Sequence, residues 1–286
     1  MLPFRRILFP VDYSPQCEAI VPYVKEMVHR FSAQLMVVHA YGPEALAYSR
    51  LPMNDPGLPE EARAYEEQRL REFALHTFPG EHVEPFAELG EAGTAIHAVV
   101  QHQGADLVML PTHGRGPIRR LLLGSVAAKV LHDVSAAVWT GRGSAIREHV
   151  LDLPYKSVLC ALDDSEEAEG VLKAAAAFAG AYQAQLSLVQ VVETPAVAPE
   201  ADLSPYYQEA MAAADFRLRE LKGPFGIDAP HAVLDGGVAE GVRQEALRRK
   251  ADLIITGRRH AQATFSRIWS HLYQIVRESP CPVLSI

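Results

Sequence analysis

The side chains of this sequence that could do chemistry follow two short apolar runs. Asp12 ends the first run, and His113 and Gly114 follow the second. Nine residues separate Gly114 from Gly124, and Ser125 then opens a helical pattern. Glycine lets a backbone approach an oxyanion without interference from Cβ, and a helix N-terminus offers free N–H groups and the positive end of a dipole. This spacing therefore favours the binding of a phosphate group.

The same residues also have a purely structural interpretation. Gly-x9-Gly-Ser occurs by chance, with Gly114 as a turn residue and Ser125 as a helix cap. Asp12 is either a ligand-binding carboxylate or a structural one, since the sequence offers it no nucleophile or partner base. His39 lies inside a strand pattern, where a satisfied core histidine is the simpler interpretation.

Alternating strand and helix patterns must position these residues. The predicted strands are 7–11, 35–40, 83–89, 107–110 and 136–140, and the helices between them include 60–76, 94–103 and 126–134. Thr94 is expected to cap its helix, and the segment 43–59 is expected to be a long loop. Short apolar strands that alternate with helices predict a parallel sheet with helices on both faces. Ligands bind at the carboxyl ends of such strands. Asp12 and the turn at 111–114 would then border one crevice.

The whole pattern occurs twice, which predicts a duplicated domain. RRILFPVDYS at 5–14 parallels KSVLCALDDS at 156–165, and GADLVMLPTHG parallels KADLIITGRRH. We expect a doubly wound, five-stranded α/β domain in each of 1–143 and 152–286. The last strands, around Trp139 and Leu284, are expected to meet about a pseudo-twofold axis, so that one chain forms an intramolecular pseudo-dimer. Further dimerisation stays open.

Composition excludes several classes of protein. The 286 residues are 49% hydrophobic and 22% charged, which is ample for two cores. A net charge of −8 argues against a nucleic-acid partner, because that affinity comes from clustered Lys and Arg. No apolar run approaches a membrane span, and no signal peptide is evident, so a cytoplasmic protein is expected. Three scattered cysteines suit a reducing compartment, and neither they nor the histidines have metal-ligand spacing.

The sequence resembles the universal stress protein family in its tandem two-domain form. The resemblance is carried by ILFPVDYS, MVVHAYG, GADLVMLPTHGRG and RLLLGSVAAKVLHDV, and it covers nearly the whole chain. In the nucleotide-binding branch of that family, Gly-x2-Gly-x9-Gly-Ser/Thr wraps around the phosphates and ribose of ATP. Gly114, Gly124 and Ser125 match this motif. Its first glycine is Pro111 here, which lacks a backbone donor.

The resemblance implies ATP, with or without Mg, in the first domain. It implies that Asp12 meets adenine and that Ala40 meets adenine or ribose through its backbone. The full set of binding residues that it implies is Pro10, Val11, Asp12, Ala40, Pro111, His113, Gly114, Gly124, Ser125 and Val126.

The second repeat departs further from the motif. Asp163 and Gly257 match, but His260 and Ser270 take the places of the second and third glycines, and His271 takes that of the serine. Two lost backbone approaches would weaken binding by about 3–6 kcal/mol, so this copy is expected to be empty or to hold a different anion. The residues of such a cationic pocket would be Arg258, Arg259, His260 and His271.

Three functions remain in competition. The leading hypothesis is a stress-response protein that binds ATP in its first domain, as a ligand-bound switch or a chaperone-like regulatory factor rather than a fast enzyme. The second is a non-nucleotide protein-interaction module of the same fold, which Pro111 favours. The third is a slow ATPase or phosphotransferase, for which the sequence lacks a P-loop lysine. The protein partner is not identified by any motif.

Overall fold

The computed structural model describes residues 4–42, 58–113, 123–141, 153–193, 204–258 and 268–286. These residues fall into two compact units, the first ending at 141 and the second beginning at 153. Each unit is an α/β domain built on a five-stranded parallel sheet.

The first unit places its sheet in the order β3-β2-β1-β4-β5, with every pair parallel. Because β1 lies between β2 and β4, the strand order reverses there, and the carboxyl ends of these strands border a crevice. Its strands are β1 (Arg6–Pro10), β2 (Gln34–Tyr41), β3 (Val83–Leu89), β4 (Leu107–Pro111) and β5 (Ala137–Gly141). Its helices are α1 (Pro15–Phe31), α2 (Leu58–Thr77), α3 (Ala92–Gln103) and α4 (Ser125–Asp133).

The second unit repeats this arrangement in the order β8-β7-β6-β9-β10, so the predicted pair of doubly wound, five-stranded domains is confirmed. Its strands are β6 (Ser157–Leu162), β7 (Gln185–Glu193), β8 (His231–Gly236), β9 (Leu253–Thr256) and β10 (Val283–Ser285). Its helices are α5 (Ala168–Tyr182), α6 (Ser204–Lys222), α7 (Val238–Arg249) and α8 (Ile268–Glu278).

The central strands form the core of each unit. Ile7, Leu8 and Phe9 of β1 have no exposed surface, and neither have the three residues 158–160 of β6. A strand that is covered by helices on both faces must be apolar at every position, since neither face meets water. The continuous apolar runs of the sequence are the direct consequence.

The repeated Ala-Asp-Leu sequence has a structural role. Asp106 accepts hydrogen bonds from the backbone N–H groups of Arg5 (2.8 Å) and Arg6 (3.1 Å). Asp252 accepts them in the same way from Lys156 (2.7 Å) and Ser157 (3.2 Å). Each carboxylate ties the amino end of the first strand of its unit to the loop before the fourth. The repeat therefore marks the end of the sheet opposite the crevice.

Most predicted boundaries of the first unit differ from the structure by one or two residues, and the starts of α3 and α4 are two examples. Helix α3 begins at Ala92, because the Glu91 carboxylate caps it by accepting from the N–H groups of Gly93 (2.8 Å) and Thr94 (2.9 Å). Thr94, predicted as the first residue of this helix and its cap, instead donates its hydroxyl to Glu91. Helix α4 begins at Ser125, one residue before the predicted start at 126. The loop predicted at 43–59 lies largely outside the described residues.

Candidate functional site

The first unit contains a cavity of about 260 Å³ at the carboxyl ends of β1, β2 and β4. Nine of the predicted binding residues line it: Pro10, Val11, Asp12, Ala40, Pro111, His113, Gly124, Ser125 and Val126. The tenth, Gly114, lies outside the described residues. Sequence reasoning missed Val38, Ala92 and Ile96, which complete the apolar wall. The sequence could have indicated them only through their positions in β2 and α3, close to that end of the sheet.

Asp12 holds the turn that leaves β1. Its Oδ1 accepts a hydrogen bond from the N–H of Ser14 at 2.9 Å, and the Ser14 hydroxyl in turn accepts from the N–H of Cys17 at 3.1 Å, which caps α1. Tyr13, between them, takes a left-handed conformation with φ of 57°. One carboxylate oxygen of Asp12 is therefore committed to the fold, and a ligand would have to use the other.

A polar cluster adjoins the cavity on the side of α2. The Nδ1 of His39 lies 2.7 Å from the carbonyl oxygen of Val11, and its Nε2 lies 4.0 Å from the buried carboxylate of Glu66. Arg69 contacts Glu66 at 3.1 Å and lies over the Tyr13 ring at 4.6 Å. These contacts agree with the expectation that His39 is a satisfied core residue.

The N-terminus of α4 faces the cavity. Gly124 is the N-cap residue, but it has no side chain that could accept a hydrogen bond from the first turn. Its own N–H donates to the carbonyl oxygen of Thr112 at 2.8 Å. A Cβ at Gly124 would lie 3.0 Å from that same oxygen, so the glycine lets the chain pass close to the end of β4. The N–H groups of Ser125, Val126 and Ala127 lie in the first helical turn, where no intrahelical acceptor exists. These three, with the exposed Ser125 hydroxyl, are the donors that an anion could use.

His113 and Pro111 lie at the end of β4. The Nδ1 of His113 is 3.0 Å from the hydroxyl of Thr112, whereas its buried Nε2 makes no hydrogen bond within the described part of the chain. Pro111 pairs in register with Gly141 of β5 and contributes no donor. His113 thus lines the cavity with one buried ring nitrogen that has no hydrogen-bond partner among the described residues.

The second unit contains a larger cavity, about 470 Å³, at the carboxyl ends of β6, β7 and β9. Asp163, Gly257 and His271 line it, and Asp163 repeats the turn of Asp12 by accepting from the N–H of Ser165 at 3.0 Å. Ser270 belongs to helix α8. The predicted cationic residues Arg259 and His260 lie outside the described residues.

Charged side chains distinguish this second cavity from the first. Arg258 is only 6% exposed, and its burial lowers the pKa of the guanidinium to about 10. At the rim, Arg217 lies 3.8 Å from Asp164, and the Nε2 of His271 lies 2.9 Å from the carboxylate of Glu193. Asp163 and Glu167 also line the opening.

Other candidate chemistry has no support among the described residues. No group of three or more His, Cys, Asp or Glu side chains within these ranges is placed to hold a metal ion. The thiols of Cys17, Cys160 and Cys281 are free, and burial raises the pKa of each of them, that of Cys17 to about 12. None of the described helices is long and apolar enough to cross a membrane.

Comparison with known proteins decides the family. The sequence model of the universal stress protein family matches residues 3–141 and again residues 154–286. The chain belongs to the universal stress protein family. It is a tandem universal stress protein, because the two matches together cover nearly the whole sequence.

Individual relatives agree with this assignment. This universal stress protein is 32% identical over 138 residues to one from Thermus aquaticus, a match that spans 46% of this chain and 98% of that protein. A putative universal stress protein of Staphylococcus haemolyticus is 26% identical over 151 residues, which are 52% of this chain and 90% of the relative. Both relatives therefore correspond to one unit of the tandem chain.

Solved structures resemble the chain over its whole length. A universal stress protein from Archaeoglobus fulgidus has a TM-score of 0.67 at 19% identity, covering 98% of this chain and 95% of that one. A putative one from Pseudomonas aeruginosa has a TM-score of 0.64 at 15% identity, covering 99% and 93%. At these identities the likeness shows the fold alone.

Proposed function

We propose that the first unit binds an adenine nucleotide, namely ATP with or without Mg. The predicted bounds 1–143 are kept for this unit. The observation that carries the proposal is the convergence of Asp12, His113 and the open N-terminus of α4 on one cavity. Val11, Val38 and Ile96 give the cavity an apolar wall suited to a purine ring. When bound, the nucleotide would place its negatively charged phosphates at the N-terminus of α4.

The polar groups of the cavity suit the two ends of a nucleotide, its phosphates and its base. The first-turn N–H groups of α4 and the Ser125 hydroxyl suit the phosphates, since a helix N-terminus attracts anions. The free oxygen of Asp12 suits a hydrogen-bond donor on the base. The buried Nε2 of His113 offers one further hydrogen bond, because leaving a buried polar atom unsatisfied is unfavourable.

The affinity should be lower than the complete family motif would give. Pro111 has no N–H, and the N–H of Gly124 is already used by Thr112. Each hydrogen bond to a charged group contributes about 1.5–3 kcal/mol, so each of these two unavailable donors weakens binding by roughly 10- to 150-fold. We expect this weaker binding to make the ligand exchangeable, as a switch requires.

The proposed role is a nucleotide-responsive regulatory protein, not a fast enzyme. His39, one of the two histidines that line the cavity, has its Nδ1 engaged by the Val11 carbonyl. Slow hydrolysis stays an alternative, and ATP turnover that vanishes in Asp12→Ala would establish it.

Mass spectrometry of purified and denatured protein tests the proposal directly. We expect AMP, ADP or ATP at up to one per chain, and thermal stabilisation of stripped protein by millimolar Mg-ATP, because a ligand that binds only the native state stabilises it. Ser125→Ala and Asp12→Asn should weaken binding by about tenfold. Asp235→Asn, an exposed change that lies outside both cavities, is the control. Release of no nucleotide together with no thermal shift would refute the proposal.

A second candidate, a non-nucleotide interaction module, is favoured by Pro111 and by the occupied N–H of Gly124. In that case Ser125→Trp, which blocks the phosphate end of the cavity, would leave partner binding and the stress phenotype unchanged. The nucleotide proposal predicts that the same variant abolishes the response.

A further inference from the structure

A charged cluster joins helix α6 to the edge strand β8 of the second unit. The Nε2 of His231 lies 2.8 Å from the Asp215 carboxylate, and its Nδ1 lies 3.1 Å from the Nζ of Lys222. Lys222 also donates to the carbonyl oxygen of Ala229 at 2.8 Å, and Arg219 contacts Asp215 at 2.7 Å. Three of these residues belong to α6, whereas His231 begins β8. The cluster therefore ties the C-terminal half of α6 to the sheet.

The two contacts of the His231 ring require one protonation state. A carboxylate only accepts hydrogen bonds, so Nε2 must carry a proton toward Asp215. An ammonium group only donates, so Nδ1 must be bare toward Lys222. Both conditions hold in the neutral imidazole with its proton on Nε2. In the charged imidazolium both nitrogens are donors, so Nδ1 can no longer accept from Lys222, and two cationic groups would face each other at 3.1 Å.

Asp215 keeps its charge while a histidine titrates. The hydrogen bond from His231 lowers the pKa of this carboxyl below its ordinary 3.8, and the charges of Arg219 and Lys222 act in the same direction. Histidine changes its charge between about pH 5 and 8. The contact at Nε2 therefore persists in both states of the ring, and only the contact at Nδ1 depends on pH.

The other elements around His231 bring little charge to the ring. Strand β7 places the apolar Leu188 beside it in register. Helix α7 packs on the opposite face of the sheet, because a Cβ at Gly241 would lie 3.7 Å from Leu234, which is three positions along the strand from His231 and so points the other way. The loop 223–230 adds the exposed Asp228. The ring thus responds mainly to the charges of α6.

Helix α6 also forms one wall of the cavity of the second unit. Ala210, Ala213 and Arg217 line that cavity, at the spacing of one helix face. The three charged residues that surround His231 follow the same spacing on another face of this helix. A change in how the C-terminal half of α6 is held must therefore reach the cavity wall.

We infer that His231 is a pH-sensitive switch of helix α6. While the imidazole is neutral, it accepts from Lys222 and holds this wall of the second cavity in place. When the ring is protonated, Lys222 leaves Nδ1 and retains its bond to Ala229, so the C-terminal half of the helix is held less firmly. The inference is independent of nucleotide binding in the first unit.

Nitrogen-15 NMR of histidine-labelled full chain tests the protonation state. The signals of His231 are assigned by their absence from the spectrum of His231→Asn. At pH 8 we expect a protonated Nε2 and a bare Nδ1, as the two contacts require. A proton on Nδ1 at this pH would overturn the inference.

Hydrogen exchange measured by mass spectrometry tests the release of the helix. After correction for the intrinsic rate, the amides of 210–222 should exchange about tenfold faster at pH 5 than at pH 8, because the loss of a hydrogen bond to a charged group is sufficient for a factor of this size. Equal corrected rates at the two pH values would refute the switch.

Variants assign the pH response to this cluster. Lys222→Met should exchange fast at both pH values, and His231→Asn, whose amide does not titrate, should show no pH response. His102→Asn, the same change at an exposed histidine of α3, should retain the full response of the parent. If His231→Asn does not fold, a quenched response in Lys222→Met supports the inference. A tenfold response that persists in either folded variant contradicts it.

Discussion

Replacement of Gly124 by alanine separates the structural role of this glycine from its proposed role at a phosphate. The Cβ of alanine would lie 3.0 Å from the carbonyl oxygen of Thr112 and 3.5 Å from the Cα of His113. Both atoms belong to the backbone, so neither can rotate away. The hydrogen bond from the N–H of residue 124 to Thr112, now 2.8 Å, must lengthen as the two segments move apart.

The expected effect is a moderate loss of stability in the absence of any nucleotide. Forcing an extra methyl group into a packed site costs about 1–3 kcal/mol. The reduced entropy of the unfolded chain offsets about 0.4–1 kcal/mol, because the φ of −62° at Gly124 is open to alanine. The net loss should be about 1–2 kcal/mol, which corresponds to a fall of about 2–8 °C in the melting temperature of the first unit.

Urea denaturation of nucleotide-free protein measures this loss, and Gly170→Ala is the matched control. Gly170 lies inside α5, and a Cβ there would meet nothing within 4 Å. Because Gly170 is the third residue of this helix, alanine there should stabilise the second unit by about 0.5 kcal/mol or less. If Gly124→Ala proved as stable as the parent while Gly170→Ala behaved as expected, the tight crossing at Thr112 would not be the reason for the glycine.

Three further outcomes follow from the described contacts. Asp106→Ala leaves two backbone donors of β1 without their acceptor and should cost about 1.5–3 kcal/mol in urea denaturation, against less than about 0.5 kcal/mol for the exposed Asp235→Asn. Burial tends to raise the pKa of Glu91, but the hydrogen bond from Gly93 and the two from Thr94 outweigh it and hold that pKa below its ordinary 4.5. A depressed carboxyl pKa stabilises above the unfolded value, and the stability is lost as pH falls through the folded value. Melting temperatures below pH 4.5 should therefore fall more steeply in the parent than in Glu91→Gln, and parallel curves would contradict this. Cys17, with its pKa raised to about 12, should react with iodoacetamide at least about tenfold more slowly in the folded than in the unfolded protein.

The sheet could be predicted from the sequence because its strands are buried on both faces. A continuous apolar run such as 35–38, with helical patterns on either side of its strand, is typical of a central strand that helices cover on both faces. Cap positions were less predictable. Glutamate is not among the preferred N-cap residues, so Thr94 was the natural expectation, yet the longer side chain of Glu91 reaches two backbone donors.

The candidate site was predictable in its members but not in their hydrogen bonds. Asp12 and Ser125 could be placed at one end of the sheet from strand order alone. That Ser14 takes one oxygen of Asp12, and that Thr112 takes the N–H of Gly124, depends on how distant segments cross. Periodicity also identifies the buried face of α3 without showing that Ile96 reaches the cavity rather than the core.

The internal repeat preserves the frame of each unit and varies its site. Asp106 and Asp252 tie the same strands, and Asp12 and Asp163 hold the same turns, because each domain needs these hydrogen bonds whatever it binds. His271, by contrast, lies within helix α8, whereas Ser125 is the first residue of α4. Likeness between the two halves is thus strongest where the contacts are architectural. The ligand of one unit is consequently no guide to that of the other, and each cavity must be judged by its own charges.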